Sequence, residues 1–296
     1  MVQAYERPGG AVGVRDWRLA LPSVVCATRA AERAAQVVDD GRAVAHPLGC
    51  AQVGRDKEQT LRTLIGIGAH PNVGRTIVVG LGCEGIGADS LAEGIRLRGH
   101  SAEAVMIQTE GGMHSTVAEV SSRLTVGSEA LARRPVAWNR LLIGLAGWDR
   151  LGPAGTQVVE GLRRAGARLL WATDEKGSGV VVSYASRLPE GVQEGWMQAT
   201  GGEAETLTGL VAAGCQIVLA FGDLQHLGGH PVAPVIRLSN DPALKPILGD
   251  DLDGWIADRT ADAWVDYVAA VASGQPALAE ATASELFAIA RVGPTL

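Results

Sequence analysis

Short unbroken apolar runs take turns along this chain with longer segments whose apolar residues recur every three or four positions. The runs include "WRLALP" (17–22), "TIVVG" (76–80), "LLIGLA" (141–146), "RLLWAT" (168–173) and "IVLAF" (217–221). Runs of this length next to glycine suit strands buried on both faces of a parallel sheet. Between them, "ATRAAERAAQVVDD" has helical spacing that Gly41 ends. "RDKEQTLRTLIGIGAH" predicts a helix with Asp56 near its start, and "DSLAEGIRLRG" predicts another. The C-terminal segments "TADAWVDYVAAVASG" and "PALAEATASELFAIARV" also read as helices. "VVSYASRLPEGVQEGWMQATGGE" is mixed, either a β-excursion or a linker.

The order strand, glycine turn, helix, glycine, strand, acidic loop occurs twice. "IVVGLGCEGIGADSLAEGIRLRGHSAEAVMIQTEGG" lies over "LLIGLAGWDRLGPAGTQVVEGLRRAGARLLWATDEKG" about 65 residues later, and "LTGLVAAGCQIVLAFGD" is a shorter third echo. Such repeats imply right-handed crossovers. The expected fold is α/β: two related Rossmann-like strand–turn–helix units with mostly parallel sheets and helices on both faces. The units divide at residues 1–137 and 138–296, or pack together as one domain. Ligands of such folds sit outside the C-terminal ends of the strands.

Composition narrows the function. The chain has 296 residues, 47% apolar and 20% charged, with a formal charge of −6. Scattered Lys and Arg form no basic stripe, which argues against nucleic acid as a partner. No segment approaches the roughly 20 apolar residues of a membrane helix. The four cysteines lie far apart, which fits reduced thiols and a cytoplasmic setting rather than a disulfide scaffold. A homo-oligomer is compatible with all of this.

Several loops carry candidate chemistry. Gly80, Gly82 and Gly85 form a G-x-G-x-x-G pattern after a strand, with Glu110 near the end of the next strand. Those are features of a dinucleotide-binding turn. The alternative is that the glycines only turn a strand sharply into a helix. His46, Cys50 and Cys83 all fall at strand ends, and imidazole and thiolate suit zinc or iron(II). Buried cysteine is equally at home as a small apolar packer. His226 and His230 stand four apart, but Gly228, Gly229 and Pro231 make that segment a loop. "TEGGMHST" and "TDEKGSG" could bind a polyhydroxylated acid or cap the helices that follow. No G-x-S-x-G elbow and no Walker-type phosphate loop is present.

The order "VGVRDWRLALPSVVC", "HPLGCAQVGRD", "RTLIGIGAHPNVGRTIVVGLGCE", "IQTEGG", then "LVAAGCQIVLAFGD", "APVIRLSNDPAL" and "WVDYVAAVASGQ", resembles the altronate/galactarate dehydratase family across most of the chain. The resemblance implies a lyase that removes water from a hydroxy or sugar acid, with a small-molecule hydroxy acid as its partner. It implies a divalent metal, iron or manganese before zinc, and in some members a separate small subunit. A two-subunit relative instead expels sulfite from sulfolactate. Carried over by motif, His46, Asp56, Glu84 and Gln108 become the catalytic candidates. Gly49, Glu110, His114 and Asp149 become substrate-binding candidates, and Cys50, Cys83 and His46 metal-ligand candidates. The departures include "AGWDRLGPAG", which keeps Asp149 but lacks the family's Cys and Ser, and "GDLQHLGG" in place of a G-R-G-T-P-x-G turn. They leave a non-catalytic or subunit-dependent relative as an alternative.

Overall fold

The computed structural model describes residues 1–127, 131–173, 179–222 and 228–293. The first part runs β1 (Val2–Glu6), β2 (Val12–Gly13), β3 (Trp17–Pro22), α1 (Thr28–Ala35), β4 (Gly41–Ala43), α2 (Gly54–Gly68), β5 (Val73–Gly80), α3 (Ala88–Leu97), β6 (Ala102–Met106), α4 (Met113–Thr125) and β7 (Arg134–Val136). The second runs β8 (Leu142–Ala146), α5 (Gly152–Ala165), β9 (Arg168–Thr173), β10 (Val181–Val182), β11 (Glu194–Gln198), α6 (Glu203–Ala212), β12 (Ile217–Phe221), β13 (Val235–Ser239), α7 (Lys245–Leu248), β14 (Gly254–Trp255), α8 (Ala261–Ala272) and α9 (Leu278–Ala281).

Two parallel sheets result, one ordered β4-β3-β5-β6 and the other β10-β11-β9-β8-β12-β13-β14. A small antiparallel sheet, β2-β1-β7, accompanies them. The α/β expectation therefore holds.

Side-chain alternation explains the layers. Leu19 and Leu21 of β3 face α2 and α3, whereas Ala20 faces α1 and α4. The core beneath α2 and α3 continues through α6 into the second sheet, joining Leu64 and Ile67 to Leu210, Leu170 and Val218. Here α2 and α6 cross closely, and a side chain at Gly66 would collide with the carbonyl of Ala212. The far face of the second sheet is covered by α5 and α8, in a core that also takes in Val2 and Ala4 of β1.

Three local readings change. The Ala-rich helix stops at Ala35, and Gly41 opens β4 instead of merely ending the helix. Asp40 turns the chain between them at φ 56°. The mixed segment supplies β11, which pairs in parallel with β9. The C-terminal segment is helical only over Leu278–Ala281. Ala283 then takes φ 53°, and the chain runs on as an extended strap that buries Ile289 and Ala290 in the shared core. Tertiary burial overrides helix propensity there.

Candidate active site

Parallel pairing brings the C-terminal ends of β3, β5 and β6 to one edge: Pro22 pairs with Val79, and Gly80 with Met106. The loops beyond these ends, and the loop after β4, hold most of the candidate residues.

His46 is buried and fully engaged. Its Nε2–H donates to the Pro22 carbonyl at 2.8 Å, and its Nδ1 accepts from the Leu48 N–H at 3.3 Å. Burial lowers its pKa, and the Pro22 bond only partly opposes that, so the ring is neutral near pH 7. It clamps the loop to the end of β3 and offers neither a lone pair nor a spare proton.

Gly49 reinforces the clamp. It sits at φ 102°, and a Cβ there would collide with the Ser23 carbonyl. Its N–H donates to Gln52 Oε1 at 3.1 Å, and its carbonyl accepts from the Gly85 N–H at 3.1 Å. The loop after β4 is thereby joined to the turn after β5.

Glu84 lies in that turn. Its carboxylate accepts from Ser23 Oγ at 2.9 Å and from the Gly82 N–H at 2.6 Å. Burial alone would raise its pKa, but the Gly82, Glu84 and Cys83 backbone and the Ser23 hydroxyl together outweigh burial and leave it below the ordinary value. The carboxylate also occupies a backbone N–H that a pyrophosphate would need. The dinucleotide reading of Gly80, Gly82 and Gly85 is corrected accordingly: the turn is filled by its own glutamate.

Gln108 is exposed beside Gly82, and its backbone N–H donates to Leu81. Glu110 is half-buried after β6, and His114 is exposed in the first turn of α4. Cys50 and Cys83 are exposed on their loops. Asp149 stands apart, at the end of β8 in the second sheet, with Arg150 3.7 Å away.

Asp56 faces inward from the first turn of α2. Its carboxylate accepts from Gln52 Nε2 at 2.7 Å, from the Val292 N–H at 3.0 Å and from the Arg291 guanidinium at 3.0 Å. Burial would raise its pKa, and these three bonds together bring it below the ordinary carboxylate value. Asp56 thus anchors the C-terminal strap.

The implied metal centre does not assemble from these donors. Among the described residues no group of three or more His, Cys, Asp or Glu side chains could hold an ion. Both nitrogens of His46 are committed to the backbone, and both oxygens of Glu84 are hydrogen-bonded. In this geometry His46 therefore does not join Cys50 and Cys83 as a metal ligand.

The sequence did not single out Ser23, Gln52 or the strap. Gln52 links Gly49 to Asp56 and also donates to Thr60 at 2.9 Å. One signal was available, because His46, His70 and His230 each precede a proline. In all three the residue after the proline donates its N–H back to the histidine Nδ1. That leaves Nε2 carrying the proton. His46 and His70 donate it to carbonyls, of Pro22 and Cys215. His230 Nε2 is buried without a partner, and the ring packs against Phe287 of the strap at 5.6 Å. His226 and most of the "TDEKGSG" loop lie outside the described residues.

Two family models match this α/β chain over most of its length. The family model for the second domain of D-galactarate dehydratase/altronate hydrolase matches residues 4–132, and that for the C-terminal domain of D-galactarate/altronate dehydratase matches 173–295. The chain belongs to the D-galactarate/altronate dehydratase family. A (2R)-sulfolactate sulfo-lyase subunit beta from Chromohalobacter salexigens is 36% identical over 119 residues, 40% of this chain and 30% of that one. Altronate dehydratases from Escherichia coli and Bacillus subtilis are 37% and 34% identical over 93 and 92 residues, 28% of this chain in each case and 19% and 18% of theirs. The matches thus span under a third of the length of these curated relatives. No helix among the described residues is long and apolar enough to cross a membrane.

Proposed function

We propose that this chain carries the acid–base edge of a carbon–oxygen lyase that eliminates water from a hydroxy or sugar acid. The supporting observation is Glu84, unprotonated at neutral pH and fixed by Ser23 and Gly82 where the strand ends of this family fold converge. In such an elimination a base takes the proton from the carbon beside the substrate carboxylate. The C–O bond on the next carbon breaks, hydroxide leaves as water, and the resulting enol tautomerises to a 2-keto acid.

Glu84 is the base in this reading. Gln108, exposed beside it, binds the substrate's oxygens, with Glu110 and His114 further along the same edge. His46, Gly49 and Asp56 are positioning residues that hold the loops. A separate small subunit completes the site, in line with the subunit name of the Chromohalobacter relative.

A second reading, ligand binding without turnover, is favoured by one observation: His46 and Asp56 are both taken up by structural contacts, His46 with backbone and Asp56 with Gln52, Arg291 and the Val292 N–H.

The test is formation of 2-keto acid from altronate and galactarate, with the chain alone and with candidate small subunits. The expected result is turnover that falls at least about 100-fold in a folded Glu84→Gln variant. Tight binding of either acid without turnover would favour the second reading.

A further inference from the structure

The opposite edge of the molecule holds a basic cavity. The segments that lead into β5, β6, β8, β9 and β12 enclose a space of about 500 Å³, whose wall includes Arg98, His100, Arg168 and Arg187. Candidate active-site residues follow the strand ends, whereas this wall precedes the strand starts. Its acidic member is Glu190, which is exposed, as is Arg187 at the cavity mouth.

The positive charge here is poorly compensated. Among the described residues no carboxylate pairs with Arg98, Arg168 or Arg187. Arg168 donates to the carbonyls of Val192 and Pro189, and Arg187 reaches the Ala69 carbonyl at 3.4 Å. Arg98 Nη1 and His100 Nε2 are shut off from solvent without any hydrogen-bond partner. Burial, and then the charges of Arg187 and Arg62, push the Arg98 pKa down to about 10. Arg7 and Arg140 of the same wall are paired with Asp16 and Glu6, so the uncompensated charge is that of Arg98, Arg168 and Arg187. Buried donors of this kind ordinarily have partners.

We infer that this cavity binds a compact organic polyanion, its carboxylate or phosphate oxygens meeting the guanidinium groups of Arg98 and Arg187 that line it. The volume lies within the range of small-ligand pockets. Arginine's planar fork suits both kinds of oxyanion. The site is separate from the candidate active site and stands whether or not Glu84 acts as a base. The carbonyl ends of α2, α3 and α6 also reach the wall, at Ala69, Gly99 and Gly214. Neutralising those helix ends would give the arginines a purely structural role, and the test separates the two.

The test is calorimetric titration of the full chain with citrate and with pyrophosphate at constant ionic strength. It compares wild type with Arg98→Gln and Arg187→Gln, with Arg29→Gln as a control on an exposed helix pair. Circular dichroism verifies each fold. The expected result is saturable binding of at least one anion, weakened at least ten-fold by either cavity variant and unchanged by Arg29→Gln. Citrate alone would make the ligand a polycarboxylate, and pyrophosphate alone a phosphate ester or anhydride. Absence of binding, or equal affinity in all four proteins, would overturn the site. So would cavity variants that lose stability without losing affinity.

Discussion

Ser23 Oγ donates to Glu84 Oε1 across 2.9 Å, joining the end of β3 to the turn after β5. Ser23 is fully buried, so the hydroxyl has no water to exchange for this partner. Ser23→Ala is expected to raise the Glu84 pKa, because burial then meets one donor fewer. The stability cost is about 1 kcal/mol, at the low end for a bond to a charged group because Glu84 is partly exposed. Urea titration at pH 7 measures the loss. Titration of Glu84 by carboxyl NMR in both proteins measures the shift.

Gly49→Ala tests the loop clamp. The substitution places a side chain at φ 102° and drives a Cβ into the Ser23 carbonyl. A loss of about 2 kcal/mol or more is expected. Because Gly49 also accepts from Gly85, hydrogen exchange at the Gly85 amide is expected to accelerate with it.

Asp56 carries the strap. Its carboxyl pKa is lowered in the fold, so its contribution is complete above the ordinary value of 3.8 and fades as pH falls through the lower folded value. Asp56→Ala is expected to remove that contribution at neutral pH. Protection of the Val292 amide would collapse, and limited proteolysis would cut within 285–293 first. The core amides of β5 are expected to keep most of their protection.

The buried histidines make the fold acid-sensitive at a higher pH than its carboxylates do. Burial holds His70 and His230 down to about 3 and His100 to about 4, and lowers His46 as well. A lowered histidine pKa means that the unfolded chain binds more protons between the folded value and about 6.5. Stability is therefore complete above pH 6.5 and declines below it, by roughly 1.4 kcal/mol per pH unit for each such histidine. Denaturation midpoints are expected to drop steeply from pH 6.5 to 4. In His70→Gln the slope is expected to flatten by about one proton.

The exposed thiols give a contrasting result. Cys50 and Cys83 are on the surface, so Cys83→Ala is expected to change stability by under about 0.5 kcal/mol. Chelators are expected to leave the thermal midpoint unchanged. A large drop with chelator would show a metal bound through a rearranged set of donors.

Much of the fold was legible because its strands are buried on both faces. The run at 76–80 could hardly be anything but a central strand, and Asp56 does lie in the first turn of α2. The segment 282–290 misled for a physical reason. Its Ala and Glu favour a helix locally, while burial of Ile289 and Ala290 and the bond from Gln59 to the Ala290 carbonyl hold it extended. In the candidate site, residue types pointed to the loop carrying His46, and the family resemblance pointed to Glu84. What those residues do was not, because a histidine's role depends on what its two nitrogens meet. Pro22 and Leu48 meet both in His46, and no spacing rule reveals that. Ser23 had no signal beyond its place at a strand end.

The central claim is that Glu84 takes a proton from the carbon beside a carboxylate. The most direct measurement is proton NMR of galactarate and altronate in deuterated buffer, following loss of the signal from that carbon, with wild type and with Glu84→Gln. The expected result is exchange or elimination catalysed by wild type and slowed at least about 100-fold in the variant, with Ser23→Ala in between. Equal rates in wild type and Glu84→Gln would contradict the claim, as would failure of wild type to exchange either acid alone or with candidate small subunits supplied.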